Sequence, residues 1–92
     1  MKIDSQFLGK LRHLAGGNGE AVTLEEGSTL IGLTEKLSEA HGDSFSIRKI
    51  RENSYVILIN GVHYETLAAE RTVLKDGDTV VFMPVTMGDE GG

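Results

Sequence analysis

The chain has 92 residues, a length that allows one domain with one small core, because domains usually comprise about 50 to 250 residues. A core of this size does not enclose a deep cofactor cleft, so we do not expect an enzyme with its own deep active site, and we expect that the chain itself binds no cofactor. Nine Lys and Arg against 14 Asp and Glu give a net charge of −5, the wrong sign for binding a phosphate backbone. Nucleic acid is therefore not an expected partner.

The chain contains no cysteine, which excludes disulfides, thiolate metal sites and cysteine nucleophiles. Its histidines, His13, His41 and His63, are too far apart in the sequence to predict a metal site. No apolar run approaches the roughly 18 residues of a membrane span, and residues 1–6 lack the apolar core of a signal peptide. We expect a cytoplasmic protein without a membrane partner.

Two strands are predicted at the start of the chain. Residues 2–8 alternate so that Ile3 and Phe7 share one face, which we expect to point inward. The glycines of 16–19 predict a turn, and the alternation resumes over 20–24. We expect the two strands to form a hairpin.

An amphipathic helix is predicted after the second strand. Its apolar positions recur at steps of three and four residues, which places them on one face of a helix of about 12 to 14 residues. The polar positions, among them Thr34, are expected to face outward. Ser28 or Thr29 is expected to cap the first turn with a side-chain hydrogen bond. The predicted inward positions are Leu30, Leu33, Leu37 and Ala40.

Two segments give weaker signals. Residues 9–15 are compatible with a short helical turn, and residues 43–54 are polar and mixed in charge, which indicates a loop with at most one helical or extended turn. Arg48, Lys49 and Arg51 form a basic cluster within this loop. We interpret the cluster as a solvated surface.

Further strands are predicted in the second half of the chain. The β-branched run at 55–59 is typical of a strand with neighbours on both sides. The Asn-Gly pair at 60–61 is a strong hairpin signal, and residues 62–64 form the brief return strand. The last strand is predicted at 79–83 and ends at Pro84.

Two strands, one helix and two or three further strands form an α+β order, that of a β-grasp fold. We expect a mixed sheet of four to five strands that one main helix covers on one face, within a domain of residues 1–84. Residues 85–92 are rich in glycine and acidic side chains. They are predicted to form a flexible C-terminal tail that ends in Gly-Gly.

Short motifs stand at the ends of the predicted elements: Phe7–Arg12 after the first strand, Glu26–Leu30 at the start of the helix, Ile59–Gly61 at the hairpin, Leu74–Val80 before the last strand, and Met83–Val85 leading to Gly91-Gly92. On these motifs the chain resembles the small sulfur carriers of the molybdopterin-synthase small-subunit and thiamine sulfur-carrier type. Those proteins are ubiquitin-like β-grasp folds that end in Gly-Gly. The motifs span nearly the whole chain.

The resemblance implies a function for the C-terminal glycines. The Gly92 carboxyl group is joined to AMP from ATP on a separate adenylating enzyme of the ubiquitin-activating type, and a sulfur donor then converts it to a thiocarboxylate. Gly91 has no Cβ, which lets the backbone thread a narrow channel. The implied sulfur acceptor is an enzyme such as the large subunit of molybdopterin synthase. The chain departs from the family pattern because residues 87–90 intervene before the glycines.

A docking surface is predicted from the last strand. Alternation separates Val80 and Phe82 from Val81 and Met83, so both faces of this strand are apolar. Leu8 lies on the otherwise polar side of the first strand. Leu8, Val81 and Met83 are therefore expected either to form an exposed apolar patch where partner proteins dock or to be covered by the loop of residues 43–54.

Two other functions remain open. A ubiquitin-like protein modifier uses the same activated glycine but transfers the acyl group to a lysine amine, so the sequence does not separate modifier from sulfur carrier. A non-covalent β-grasp interaction domain is the third reading, in which the terminal Gly-Gly has no role. An RNA-binding form of this domain is disfavoured by the acidic charge.

Overall fold

Five strands form one mixed sheet in the structure, a computed structural model that describes residues 1–84. They are β1 (Lys2–Phe7), β2 (Gly19–Thr23), β3 (Tyr55–Ile59), β4 (Val62–His63) and β5 (Thr79–Pro84). Their order across the sheet is β2-β1-β5-β3-β4. β1 runs parallel to β5, and the other neighbours are antiparallel. The predicted β-grasp sheet is confirmed; the expected tail at 85–92 lies outside the described residues.

Within residues 1–84, three helices connect the strands: α1 (Lys10–Ala15), α2 (Leu30–His41) and α3 (Ile47–Glu52). α2 is the main helix, and its buried leucines form one core with the inward side chains of the sheet. Thr29 is its N-cap residue, but the expected side-chain capping hydrogen bond does not form there. Short 3-10 turns occupy Asp43–Phe45, Tyr64–Thr66 and Ala69–Arg71.

The core follows the alternation of the strands. β1 directs Ile3 and Phe7 inward, and β5 directs Val80 and Phe82 inward; all four are fully buried. The Phe7 ring lies 5.2 Å from that of Phe45 and 5.8 Å from that of Phe82, measured between centroids. The inward face predicted for the first strand is confirmed.

The buried stripe of α2 is rotated relative to the prediction. Thr34, expected outside, is buried, and its hydroxyl donates to the Ile31 carbonyl oxygen at 2.9 Å. Ala40, expected inside, is exposed. Because a helix has 3.6 residues per turn, the inward position that follows Leu37 is His41, four residues on. His41 accordingly packs between β2 and the aromatic core, with Nε2 2.8 Å from Glu20 Oε1.

The segment predicted as a loop, residues 43–54, is mostly helical. The Ser46 hydroxyl oxygen accepts a hydrogen bond from the Lys49 amide at 3.3 Å, which caps the start of α3. Phe45 and Ile50 are buried and anchor the segment to the core. The polar composition hid this helix because only one of its faces needs apolar residues.

The hairpin predicted at residues 60–61 is confirmed. Asn60 and Gly61 both have positive φ, 51° and 87°, as the favoured two-residue turn requires. The Asn60 side chain ties this turn to the start of β5, since Oδ1 accepts from the Thr79 amide at 3.0 Å and Nδ2 donates to Asp78 Oδ1 at 2.9 Å. β3 is therefore held in register between β4 and β5.

Candidate functional site: an apolar face beside the start of the tail

Leu8, Val81 and Met83, the predicted docking residues, lie on the sheet face that α2 leaves open. Val81 and Met83 alternate with the buried Val80 and Phe82, so their side chains point away from the core. The Leu8 amide donates to the Phe82 carbonyl oxygen at 2.9 Å, which extends the pairing of β1 with β5. The Leu8 side chain is 42% exposed. The fold thus brings all three residues to one face.

β3 adds two residues to this face that the sequence analysis missed. In the antiparallel register, Val56 lies opposite Met83, and Leu58 lies opposite Val81, so each pair shares a face. Val56 and Leu58 are partly exposed. The alternation of residues 55–59 separates their two faces, but the pairing with β5 is needed to show which one is open. The open-face patch comprises Leu8, Val56, Leu58, Val81 and Met83.

Polar side chains border the open-face patch. Gln6 lies beside Val81 on β1, and His63 lies beside Leu58 on β4. Gln6 is exposed, and His63 is fixed in place because its Nδ1 accepts a hydrogen bond from the Glu65 amide at 3.1 Å. An apolar centre with a polar rim is the usual anatomy of a protein–protein interface.

β5 ends beside this patch. Pro84, the last described residue, follows Met83 on the central strand β5 and lies opposite Tyr55. Gly9 packs against it: a Cβ added at Gly9 would lie 3.2 Å from Pro84 Cγ. Gly9 also has φ 66°, a conformation that side-chain-bearing residues rarely adopt. The end of β5 is therefore held by the connection between β1 and α1.

The basic cluster of α3 is engaged in ion pairs. Arg51 donates through Nη2 to Glu70 Oε1 at 2.6 Å and through Nε to Glu65 Oε2 at 3.3 Å. Its guanidinium carbon lies 5.6 Å from the centroid of the Tyr64 ring. The hydrogen bond from Arg51 is the main cause that lowers the pKa of the Glu70 carboxyl. Burial raises the pKa of the Tyr64 phenol. Arg51 thus joins α3 to the segment before β5 rather than simply being solvated.

In the part of the chain that the structure describes, no group of three or more His, Asp or Glu side chains is placed to hold a metal ion. None of the helices in residues 1–84 is long and apolar enough to cross a membrane. Gly91 and Gly92, to which the resemblance assigns the chemistry, lie outside those residues.

Solved structures share this fold over nearly the full length of both chains. A putative molybdopterin converting factor, subunit 1, from Pyrococcus furiosus is 26% identical, with a TM-score of 0.71, and the match covers 92% of this chain and 99% of that chain. The small archaeal modifier protein 1 (SAMP1) of Methanosarcina acetivorans is 24% identical, with a TM-score of 0.73 and coverage of 95% and 96%. Urm1 of Trypanosoma brucei is 21% identical, with a TM-score of 0.66 and coverage of 95% and 94%. The similarity to SAMP1 and Urm1 shows a common fold alone.

A sequence-family model also matches the chain, in addition to the solved structures. The model of the ThiS family matches residues 5–88, most of the chain. No curated protein sequence is significantly similar to the chain. The match includes the strands of the open-face patch and the first residues beyond Pro84. The chain belongs to the ThiS family, and it has the ubiquitin-like β-grasp fold that it shares with the putative molybdopterin converting factor subunit.

Proposed function

We propose that this chain is a sulfur carrier that works through a thiocarboxylate at Gly92. A Gly92 carboxylate oxygen attacks the α-phosphate of ATP on a separate adenylating enzyme, and pyrophosphate leaves. A hydrosulfide-equivalent donor then attacks the carbonyl carbon, and AMP leaves with the carboxyl oxygen. Gly92 carries the reactive sulfur afterwards, and the chain is a co-substrate rather than a catalyst.

The observation that carries the proposal is the family match over residues 5–88. The Pyrococcus furiosus relative is described as a molybdopterin converting factor subunit, which supports molybdopterin synthesis as the pathway served. The sulfur acceptor in that pathway is the large subunit of molybdopterin synthase. This chain is then the small subunit of that complex.

The fold supports the proposal through the position of the open-face patch. Eight residues, 85–92, follow Pro84 in the sequence, and at full extension they span at most about 26–29 Å. An enzyme that holds the patch therefore has the terminal carboxyl group within reach of a buried active site. Docking on Leu8, Leu58 and Val81 fixes the body of the chain while the tail enters that site.

Protein modification is the second candidate, which the fold shared with SAMP1 and Urm1 favours. Its first step is the same adenylation of Gly92. The two functions diverge at the nucleophile, which is hydrosulfide for a carrier and a lysine amine for a modifier. A carrier yields a free thiocarboxylate, and a modifier yields covalent adducts with other proteins.

The test is the intact mass of the chain after incubation with its host's adenylating enzyme, ATP and hydrosulfide. The expected product is heavier by the difference between one sulfur and one oxygen atom. A variant that lacks Gly91 and Gly92 should keep its mass, whereas Glu90→Gln, which retains both glycines, should be converted like the wild type. Lysine-linked adducts without thiocarboxylate would identify a modifier. If no variant changed in mass, both the carrier and the modifier functions would be refuted, and the non-covalent interaction domain would be the remaining function.

A further inference from the structure

We propose that the outer edge of β2, together with α2, binds an extended basic segment of a partner protein as an added strand. The site is a groove of about 410 Å³ between the end of β2 and the first turns of α2. This β2–α2 groove is lined by Thr23, Leu24, Glu25, Ser28, Gly32 and Lys36. The inference is independent of the chemistry proposed for Gly92.

The backbone of β2 offers hydrogen bonds to such a strand. β2 is the outermost strand on its side of the sheet. The Leu24 amide donates to the Met1 carbonyl oxygen at 2.9 Å, and the Phe7 amide donates to that of Asn18 at 2.8 Å. Because inward bonds alternate along an antiparallel pair, residues 18, 20, 22 and 24 bond to β1. Gly19, Ala21 and Thr23 therefore direct their amides and carbonyls outward.

One contact confirms the outward direction of these groups. The Lys36 ammonium of α2 reaches over the groove and donates to the Thr23 carbonyl oxygen at 3.3 Å. A lysine that covers a strand edge in this way restrains pairing with other chains. An incoming strand that bonds to Thr23 must displace Lys36, so this side chain is a removable cover of the site.

The groove has room for side chains of the added strand. Gly32 forms part of the α2 wall, and a Cβ added there would meet only Ser28, which precedes the helix, at 3.7 Å. Leu24 contributes an apolar surface at the groove, although it is itself largely buried. Every second side chain of an added strand points to one face. Small apolar side chains at those positions fit between β2 and α2.

The charge around the groove selects a basic partner. Among residues 20–39, four glutamates are exposed, at 25, 26, 35 and 39, whereas Glu20 is paired with His41; Lys36 is the single Lys or Arg of this segment. Glu25 lines the groove directly. Lysine or arginine side chains on the incoming strand are attracted to this surface. A second copy of the chain would bring the same acidic strip to the interface, which disfavours pairing of two β2 edges.

The groove lies at the end of the sheet opposite Pro84, the last described residue. Thr23 is opposite Lys2, at the start of β1, whereas Pro84 lies beyond Phe82, the partner of Phe7 at the end of β1. A partner in the groove and an enzyme that docks beside Pro84 therefore occupy opposite ends of the sheet. The chain is able to hold both at once.

The test is a titration of the full-length, ¹⁵N-labelled chain with an alternating valine–lysine peptide, followed by the amide signals of β2. Saturable shifts are expected at Gly19, Ala21 and Thr23, with no comparable effect from an alternating valine–glutamate peptide. Ala21→Pro removes an outward amide without breaking the ladder to β1, and it should abolish binding. Lys36→Ala uncovers the Thr23 carbonyl and should tighten binding about two- to fivefold. Glu25→Lys should weaken it by a similar factor.

Other outcomes overturn the inference. Backbone hydrogen bonds supply most of the affinity in strand addition, so a failure of the valine–lysine peptide to bind at about 1 mM would refute the site. Equal binding of the acidic peptide, or shifts confined to the open-face patch, would refute the assigned partner. Shifts of the β2 amides on concentrating the chain without peptide would assign the edge to a second copy. Because Lys36→Ala and Glu25→Lys alter exposed positions, the conclusion does not depend on whether Ala21→Pro folds.

Discussion

Leu58 of β3 lies directly opposite Val81 of β5, and both side chains point away from α2. The two strands are far apart in the sequence, so the pair exists only once the sheet has formed. Together with Val56 and Met83 it gives the open face a continuous apolar centre. Leu8 is exposed, and the other four residues of the patch are partly exposed although they are apolar, which is the reason why we propose that partners dock on this face.

The first prediction is that Leu58→Asp prevents adenylation of Gly92 by the activating enzyme. A central apolar residue of an interface contributes about 2 kcal/mol or more, so the apparent affinity for the enzyme should fall about 30-fold or more. Pyrophosphate release at increasing enzyme concentration measures the effect. Val73→Asp is the matched control, because Val73 is 56% exposed and pairs with Thr29 at the start of α2, outside the patch. Equal loss in both variants, or in neither, would contradict the assigned docking face.

The patch also shows what the sequence was able to predict. The side-chain directions of Val81 and Met83 follow from the alternation within one strand. The side-chain direction of Leu8 follows from its position directly after β1. The exposure of Val56 and Leu58 on the same face depends on the long-range pairing of β3 with β5, which a local sequence pattern does not contain.

The incorrect prediction for the buried face of α2 has a different cause. Ala40 and His41 both fit the helical spacing, and the choice between them depends on the contacts of His41 with Glu20 and with the aromatic core.

The second prediction concerns the connection between β1 and α1, which packs against the end of β5. Gly9→Ala forces a side-chain-bearing residue into φ 66° and brings its Cβ to 3.2 Å from Pro84 Cγ. This backbone conformation alone, with φ 66° and ψ −141°, should lower the free energy of unfolding by about 1–3 kcal/mol when a side chain is present. Gly17→Ala is the control, because a Cβ there meets no atom of the described residues within 4 Å. Urea denaturation of both variants measures the difference, and equal stability of the two would show that Gly9 is not constrained.

The third prediction is a pH dependence that Glu70 and Arg51 produce together. The hydrogen bond from Arg51 holds the pKa of Glu70 below its ordinary value of 4.5 in the folded chain. A carboxyl group with a lowered folded-state pKa stabilises the fold fully above its ordinary pKa, and it loses that contribution as the pH falls through the folded value. The free energy of unfolding of Glu70→Gln should therefore fall less steeply below about pH 4.5 than that of the wild type.

Denaturation across this pH range is the measurement for Glu70→Gln. Arg51→Ala should flatten the same part of the profile, since it removes the donor rather than the acceptor. Glu35→Gln, which removes an exposed carboxylate of α2 outside this cluster, is the control and should keep the wild-type slope. If Glu70→Gln and Glu35→Gln give the same profile, the ion pair does not persist in solution.

The fourth prediction tests the rotated stripe of α2 with one substitution at two positions. Thr34→Lys places an ammonium group where the native side chain is only 1% exposed and packs against the core. An unpaired buried charge costs several kcal/mol, so the free energy of unfolding should fall by more than about 3 kcal/mol. Ala40→Lys changes an exposed position, and it should change the free energy of unfolding by no more than about 0.5 kcal/mol.

Thr34→Val separates the effect of volume from that of the hydroxyl group. Valine fills nearly the same space, and the Ile31 carbonyl oxygen that accepts the Thr34 hydroxyl is also within reach of the amide four residues later in the helix. Removing the hydroxyl group therefore leaves no buried acceptor unpaired. The free energy of unfolding of Thr34→Val should be no more than about 1 kcal/mol below the wild-type value. Chemical denaturation of all three variants gives the comparison. If Ala40→Lys is the more damaging lysine variant, the outward face of α2 is the one that the sequence pattern first indicated.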